Sequence, residues 1–216
     1  MTRGLSMESR DVWDRRVREA GKALGFTEGY KILYAPWSTI GKTDIVFLSL
    51  NPGRPPAGAE LETLSDERGN SYEVERHVTA SPITAQFLAL AVLLGRRPIE
   101  ILTGVVAPFR SDRWGGVPAE KRRASLQLGR HFWTRVFEAR RPIRVIVCGP
   151  EAAKVASDAL GARLELIVPS GWGDVSLRRF RAADGAAVIQ LPHLSTFKLL
   201  SRTECLPPLR YILEII

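Results

Sequence analysis

The sequence predicts an α/β fold, a three-layer α/β/α sandwich around a mainly parallel central sheet. Three observations predict it. Four apolar runs of strand length recur along the chain and are rich in β-branched residues. Segments of helical periodicity lie between them. A proline stands where several of those segments begin. Continuous apolar runs indicate strands buried on both faces, hence parallel strands covered by helices. Strands alternating with helices indicate a layered α/β class.

Each element follows in order. Trp13, Val17, Ala20 and Leu24 recur at helical spacing, and residues 44–50 (Asp-Ile-Val-Phe-Leu-Ser-Leu) form the first strand. Residues 53–80 are Gly, Pro, Asp, Glu and Ser with little periodicity, a long loop of the kind that is functional or mobile. Ser81-Pro82 sets an N-cap before proline at the first helical position, and Ile83, Phe87, Leu90, Ala91 and Leu94 form one stripe behind it. Residues 99–106 make the second strand. Pro118 opens a longer helix with Leu128, Phe132, Val136 and Phe137 inward. Residues 143–148 make the third strand, and Pro150 opens a helix carrying Ala153, Ala156 and Leu160. Asp184-Gly185 is a hairpin signal. It pairs residues 175–181 antiparallel with the fourth strand, residues 186–191, a helix crossover being the alternative. The tail from Thr196 reads as helix, interrupted at Pro207-Pro208 and restarted with Leu209, Ile212 and Leu213. One domain is expected over residues 1–216.

Composition narrows the function. Apolar residues at 45% and charged residues at 25% are those of a soluble globular protein, and 216 residues can bury one large core. The 31 Lys and Arg exceed the 23 Asp and Glu, a formal charge of +8. The excess is dispersed as pairs such as Arg15-Arg16, Arg96-Arg97 and Arg122-Arg123. Such a fold suits a polyanion, chiefly nucleic acid; solvated helix faces are the plainer reading. No run reaches the ~18 apolar residues of a membrane span, and the first residues carry no apolar leader core. Two cysteines cannot build a disulfide framework, a zinc ribbon or a four-cysteine cluster. A cytoplasmic monomer without membrane, metal or cofactor is expected. No G-x-G-x-x-G turn, P-loop or G-x-S-x-G elbow is present, which argues against a nucleotide-binding Rossmann-like enzyme such as a methyltransferase and against a serine hydrolase.

Two loops carry the functional argument. Leu50-Asn51-Pro52-Gly53 leaves the first strand, where Pro52 fixes φ and Gly53 tolerates a positive one, a turn that holds the Asn51 amide over the sheet edge. Read alone, it is a strand-ending turn. Leu191-Pro192-His193-Leu194-Ser195-Thr196-Phe197-Lys198 leaves the fourth strand and sets His193 at the same edge. Ser195 caps the following helix, whose N-terminus attracts phosphate, and Lys198 and Arg202 share a face of it. Open α/β sheets bind ligands at this edge.

The combination resembles the uracil-DNA glycosylase superfamily. Leu48-Ser49-Leu50-Asn51-Pro52-Gly53 looks like the Asn-Pro-Gly version of its first motif, found in mismatch-specific and single-strand-selective members. His193-Leu194-Ser195 matches the second motif at the histidine and the first serine, and the resemblance covers roughly residues 40–205. It implies a DNA glycosylase acting on uracil or another deaminated base flipped from DNA, initiating base excision repair. Asn51 would hold the attacking water, and His193 would stabilise the departing base. Leu50, Pro52 and Gly53 would line the substrate. Phe197 falls at the family's intercalating leucine; packing inward is its alternative. Arg54, Arg110 and Arg113, with Ser195, Lys198 and Arg202, would meet DNA. The family's base-reading Asn at the end of the second strand is missing, which leaves Thr103 or backbone groups in its place. Either Tyr72 or Phe87 would stack on the base. Two cysteines exclude the iron–sulfur branch. The alternative is a DNA- or lesion-binding homologue without glycosylase activity.

Overall fold

The computed structural model describes residues 7–53, 55, 58–78 and 81–215. In chain order the elements are α1 (Arg10–Leu24), β1 (Ile45–Ser49), α2 (Ser71–Val74), α3 (Pro82–Leu93), β2 (Leu102–Val105), α4 (Ala119–Ala139), β3 (Arg144–Cys148), α5 (Pro150–Leu160), β4 (Arg163–Pro169), β5 (Ser176–Arg181), β6 (Ala187–Leu191) and α6 (Leu206–Ile212). The strands form one six-stranded mixed sheet in the order β2-β1-β3-β6-β5-β4. β2, β1, β3 and β6 run parallel, while β5 runs antiparallel to both β6 and β4.

The parallel strands are the apolar runs, and their residues alternate between two buried clusters. Val46, Leu48, Val145, Val147 and Val188 face one side with Trp13, Val17, Phe132, Val136, Ala153 and Ala156 of α1, α4 and α5. Phe47, Ile146, Ile189 and Leu191 face the other with Phe87 and Leu90 of α3 and Leu209 and Ile212 of α6. Burial of both faces is what continuous apolar strands require.

Four sequence expectations change. The second strand begins at Leu102, because Pro98–Glu100 form a 3-10 turn that ends on the Ile101 amide. β4 is a strand the apolar runs did not reveal, for it lies at the sheet edge with most of its residues exposed or half-exposed. The loop after β1 is partly built: residues 61–64 bond to residues 30–33, which in turn run antiparallel along β2 and its continuation. The tail after Thr196 is not one helix. It makes two 3-10 turns, Leu199–Ser201 and Thr203–Cys205, and α6 starts only at Leu206. Pro207 and Pro208 lack the N–H groups that would bond back to the Thr203 and Glu204 carbonyls, so a helix from Thr196 cannot continue into them, and they sit instead in the first turn of α6.

Two glycines let α4 and residue 32 close on β2. A Cβ at Gly129 would stand 1.7 Å from the Val106 carbonyl oxygen, and one at Gly104 would stand 2.5 Å from the Ile32 oxygen. The approach lets the Trp133 indole N–H donate to the Val105 carbonyl at 2.8 Å. At the opposite end of the sheet, Arg179 and Arg181 of β5 pair with Glu165 of β4 and with Glu214 after α6.

Candidate active site

The carboxyl ends of the parallel strands form one edge. The chain leaves β1 toward β2 on one side, and leaves β3 through α5 toward β4 on the other. Neighbouring parallel strands whose connections diverge open a crevice at their carboxyl ends, here between β1 and β3. The loop from β1 carries Asn51 and the loop from β6 carries His193. β1 and β6 are separated by β3 alone, about 10 Å at sheet spacing.

Asn51 is held by its own turn and by the continuation of β2. Val106 and Ala107 donate their amides to Ser49 and Leu50, so the two chain segments stay paired beyond the strands. The Ser111 amide donates to the Pro52 carbonyl at 3.2 Å. In return, the Asn51 Nδ2 donates to the carbonyls of Ser111 at 3.0 Å and Pro52 at 3.1 Å. With its N–H groups committed, the amide turns Oδ1 away as an acceptor, and it takes no bond among the described residues. Pro52 is buried, Leu50 packs on the first core cluster, and Gly53 is exposed.

His193 stands between anchors. Leu191, Leu194 and Leu199 are fully buried in the second cluster, while His193 stays exposed. The Thr196 and Phe197 amides both donate to the His193 carbonyl, closing a tight turn. Ser195 Oγ lies 2.6 Å from His193 Nδ1. Ser195 therefore orients the imidazole and caps no helix. Partial desolvation lowers the His193 pKa, so the ring is neutral at pH 7. When Ser195 donates to Nδ1, the ring proton sits on Nε2 and makes it a donor.

Other predicted residues lie elsewhere. Thr103 is fully buried, and its hydroxyl accepts from the Asn70 side chain at 3.0 Å, so it cannot read a base. Phe87 is fully buried and Tyr72 is 5% exposed; the two pack together beneath the edge, so neither offers a free stacking face. Arg110 is 5% exposed and spends its guanidinium on the Leu61 and Gly53 carbonyls at 3.0 and 3.1 Å, bracing the loop where phosphate contact was expected. Arg113 and Lys198 are exposed. Lys198 and Arg202 do not share a helix face, since they flank one 3-10 turn. Arg202 lies 3.5 Å over the Trp172 ring, and the half-buried Phe197 meets Trp172 edge-on. Arg54 lies outside the described residues.

The structure adds a cavity of about 390 Å³ beside the Asn51 loop, lined in part by Gly53, Arg110, Lys31, Tyr34, Asp66 and Glu75. Lys31 and Asp66, each 5% exposed, pair at 3.1 Å, and Glu75 stands 3.9 Å from the same ammonium. Burial opposes ionisation of Asp66, but bonds from Arg68, Lys31 and Ser71 outweigh it and hold the carboxyl below its usual range. A lone lysine inside the apolar run Tyr30-Lys31-Ile32-Leu33-Tyr34 is the one signal of this cluster in the sequence. Asn70 fixes the wall behind it: its amide donates to Pro98 and Thr103 and its oxygen caps α2 through the Tyr72 amide. Asn70-Ser71-Tyr72-Glu73 has the spacing of a helix start and could have revealed that cap.

A larger cavity, about 790 Å³ between α4 and α5, is lined by none of the residues predicted to be catalytic. Burial pushes the Cys148 thiol, at the end of β3, up to about 12, so it is no nucleophile at neutral pH. Among the described residues no His, Cys, Asp or Glu group could hold a metal ion, and no helix is long and apolar enough to cross a membrane. No protein-family model matches the chain, and no curated protein matches it either.

Proposed function

We propose that the protein is a DNA glycosylase of the uracil-DNA glycosylase type, hydrolysing the N-glycosidic bond of uracil or another deaminated base flipped out of DNA. In this reading it is a cytoplasmic monomer that starts base excision repair. One observation carries the proposal: an oriented Asn51 amide and a neutral, serine-oriented His193 stand on separate strand-exit loops at one edge of a basic α/β sheet. Helices over both faces of a sheet with β2, β1, β3 and β6 parallel suit the three-layer architecture of that superfamily.

The chemistry needs no base stronger than an amide. As the C1′–N bond lengthens, its electron pair moves onto the base and the sugar becomes oxocarbenium-like. Asn51 Oδ1 positions a water opposite the base by accepting a hydrogen bond from it. The water oxygen bonds to C1′ and sheds its proton to solvent. The Nε2–H of His193 meets charge developing on the base oxygen, the kind of donor whose removal costs about 2.7–4 kcal/mol of barrier.

Alkali cleavage of labelled oligonucleotides, each with one uracil, hypoxanthine or xanthine, tests the reading. Strand scission at the modified base is the expected result. Asn51→Ala should reduce it at least about tenfold, ~1.4 kcal/mol of barrier, with folding and DNA affinity retained. A second reading, lesion binding without hydrolysis, draws on the burial of Thr103 where the family's base-reading residue would be. Tight binding of modified DNA with no scission would favour it.

A further inference from the structure

The larger cavity, about 790 Å³, is a trough between α4 and α5. α4 ends where β3 begins and α5 begins where β3 ends, so both run away from the carboxyl edge, side by side over one face of the sheet. From Ala119 to Thr134 the lining residues of α4 recur at the three- and four-residue spacing of a single helix face. At 1.5 Å per residue that face is about 22 Å long. The floor is apolar, because Leu126 and Val155 rest on the first core cluster. Trp114, in the turn that leads into α4, lines the end nearest the carboxyl edge. The walls are cationic: Arg122, Arg123, Arg130 and Lys154 stand against two carboxylates, Glu151 and Asp158. Asp158 takes Lys154 at 3.1 Å and Arg130 at 3.5 Å. Glu151 stands in the first turn of α5, where the helix dipole favours negative charge. Arg122 and Arg123 have no ion pair among the described residues, and the Nε of the half-buried Arg122 is buried without a hydrogen-bond partner.

We infer that this trough docks an acidic amphipathic helix of a partner protein, its apolar stripe on Leu126 and Val155 and its carboxylates on Arg122 and Arg123. Such a helix enters a groove through apolar residues at i, i+3, i+4 and i+7, and about four turns of it match the length of the α4 face. Acidic residues flanking that stripe meet the cationic walls, and this complementarity selects the partner. A DNA duplex would meet the cations with phosphate and leave the apolar floor unfilled. The inference does not depend on the glycosylase reading. It also gives the partner a defined place. Trp114 follows closely on Ser111, whose carbonyl holds the Asn51 amide, so one end of the docked helix lies toward the candidate catalytic loop.

Fluorescence anisotropy tests this with a labelled synthetic peptide of about 15 residues, carrying leucine at every third or fourth position, glutamate on both flanks and alanine elsewhere. The wild-type protein should bind it at least ~10-fold more tightly than a peptide of the same composition whose leucines are shuffled off one face. A peptide with lysine for each glutamate should bind more weakly by at least as much. Arg122→Glu with Arg123→Glu should weaken binding at least ~10-fold, since like charges would then face one another. Arg15→Glu with Arg140→Glu makes the same charge change at exposed positions outside the trough and should weaken it less than about threefold. Equal binding of the shuffled peptide would overturn the inference. Equal losses in the two double variants would reduce the effect to net charge and overturn it too. If the Arg122 and Arg123 double variant melts early, Arg123→Glu alone decides, because that side chain is exposed, and unchanged binding there overturns the inference. A duplex oligonucleotide that displaces the peptide, and itself loses binding in Arg123→Glu, would make the trough a nucleic-acid surface and refute the helix.

Discussion

His193 gives two outcomes that a merely structural histidine would not. His193→Ala should cut single-turnover excision strongly while DNA affinity and melting temperature change little, because the proposed contact to the base oxygen would strengthen only in the transition state. His193→Asn keeps a donor of similar reach and should recover part of the loss. Desolvation lowers its pKa below the ordinary histidine value, so the neutral, competent ring persists at pH 7. The rate should be flat above about pH 6.5 and fall only as pH drops through the lowered pKa. A rate that rises on acidification would remove the neutral donor. Asp66 is the reverse case, a carboxylate held ionised. As pH falls the unfolded chain takes up the proton first, so the stability Asp66 contributes is present above about pH 4 and lost below it. Asp66→Asn leaves Lys31 buried with Glu75 alone nearby, and thermal melts at pH 7 should register a loss of about 3 kcal/mol. Asn51 and His193 are legible in the sequence because each closes a recognisable strand. Lys31 and Asp66 are not, since their pairing joins positions 35 apart through loops whose course only the tertiary fold decides.

Helix starts marked by proline were readable: α3, α4 and α5 begin within a residue of Pro82, Pro118 and Pro150. The four buried strands were readable too, because burial on both faces makes their composition continuous. β4 was hidden by the same logic, since an edge strand with exposed faces carries no apolar run. Arg163, Glu165 and the other exposed residues of β4 answer to their β5 neighbours, and no pattern within the strand announces them. The tail misled for another reason: Leu199, Leu209 and Ile212 face one core, but 3-10 turns bring them there, so helix-like spacing arises without a continuous helix. Gly129 shows what periodicity cannot convey. An interior helical glycine ordinarily weakens a helix, and alanine would be expected to help. Here the added methyl meets the Val106 carbonyl, so Gly129→Ala should destabilise by about 1–3 kcal/mol, measured by denaturant unfolding. A stabilised variant would mean that α4 can shift off β2.

Across the whole molecule, the formal charge of +8 is the property on which the proposed DNA binding would draw irrespective of base. Binding through phosphates should make log K fall linearly with log salt, at about −0.9 per phosphate neutralised on duplex. Lys198 is exposed and has no ion pair among the described residues, so Lys198→Ala should flatten that slope by roughly one unit. Arg202 is drawn to Trp172 and to Glu204 at 3.6 Å, and Arg202→Ala should alter the slope less. A wild-type slope near zero would point to a small-molecule enzyme. The Asn70 tether reaches furthest. By tying the start of α2 to Pro98 and Thr103, it orders the cavity wall before any ligand arrives. That wall then has no folding left to do when a ligand arrives, a step that would otherwise consume several kcal/mol.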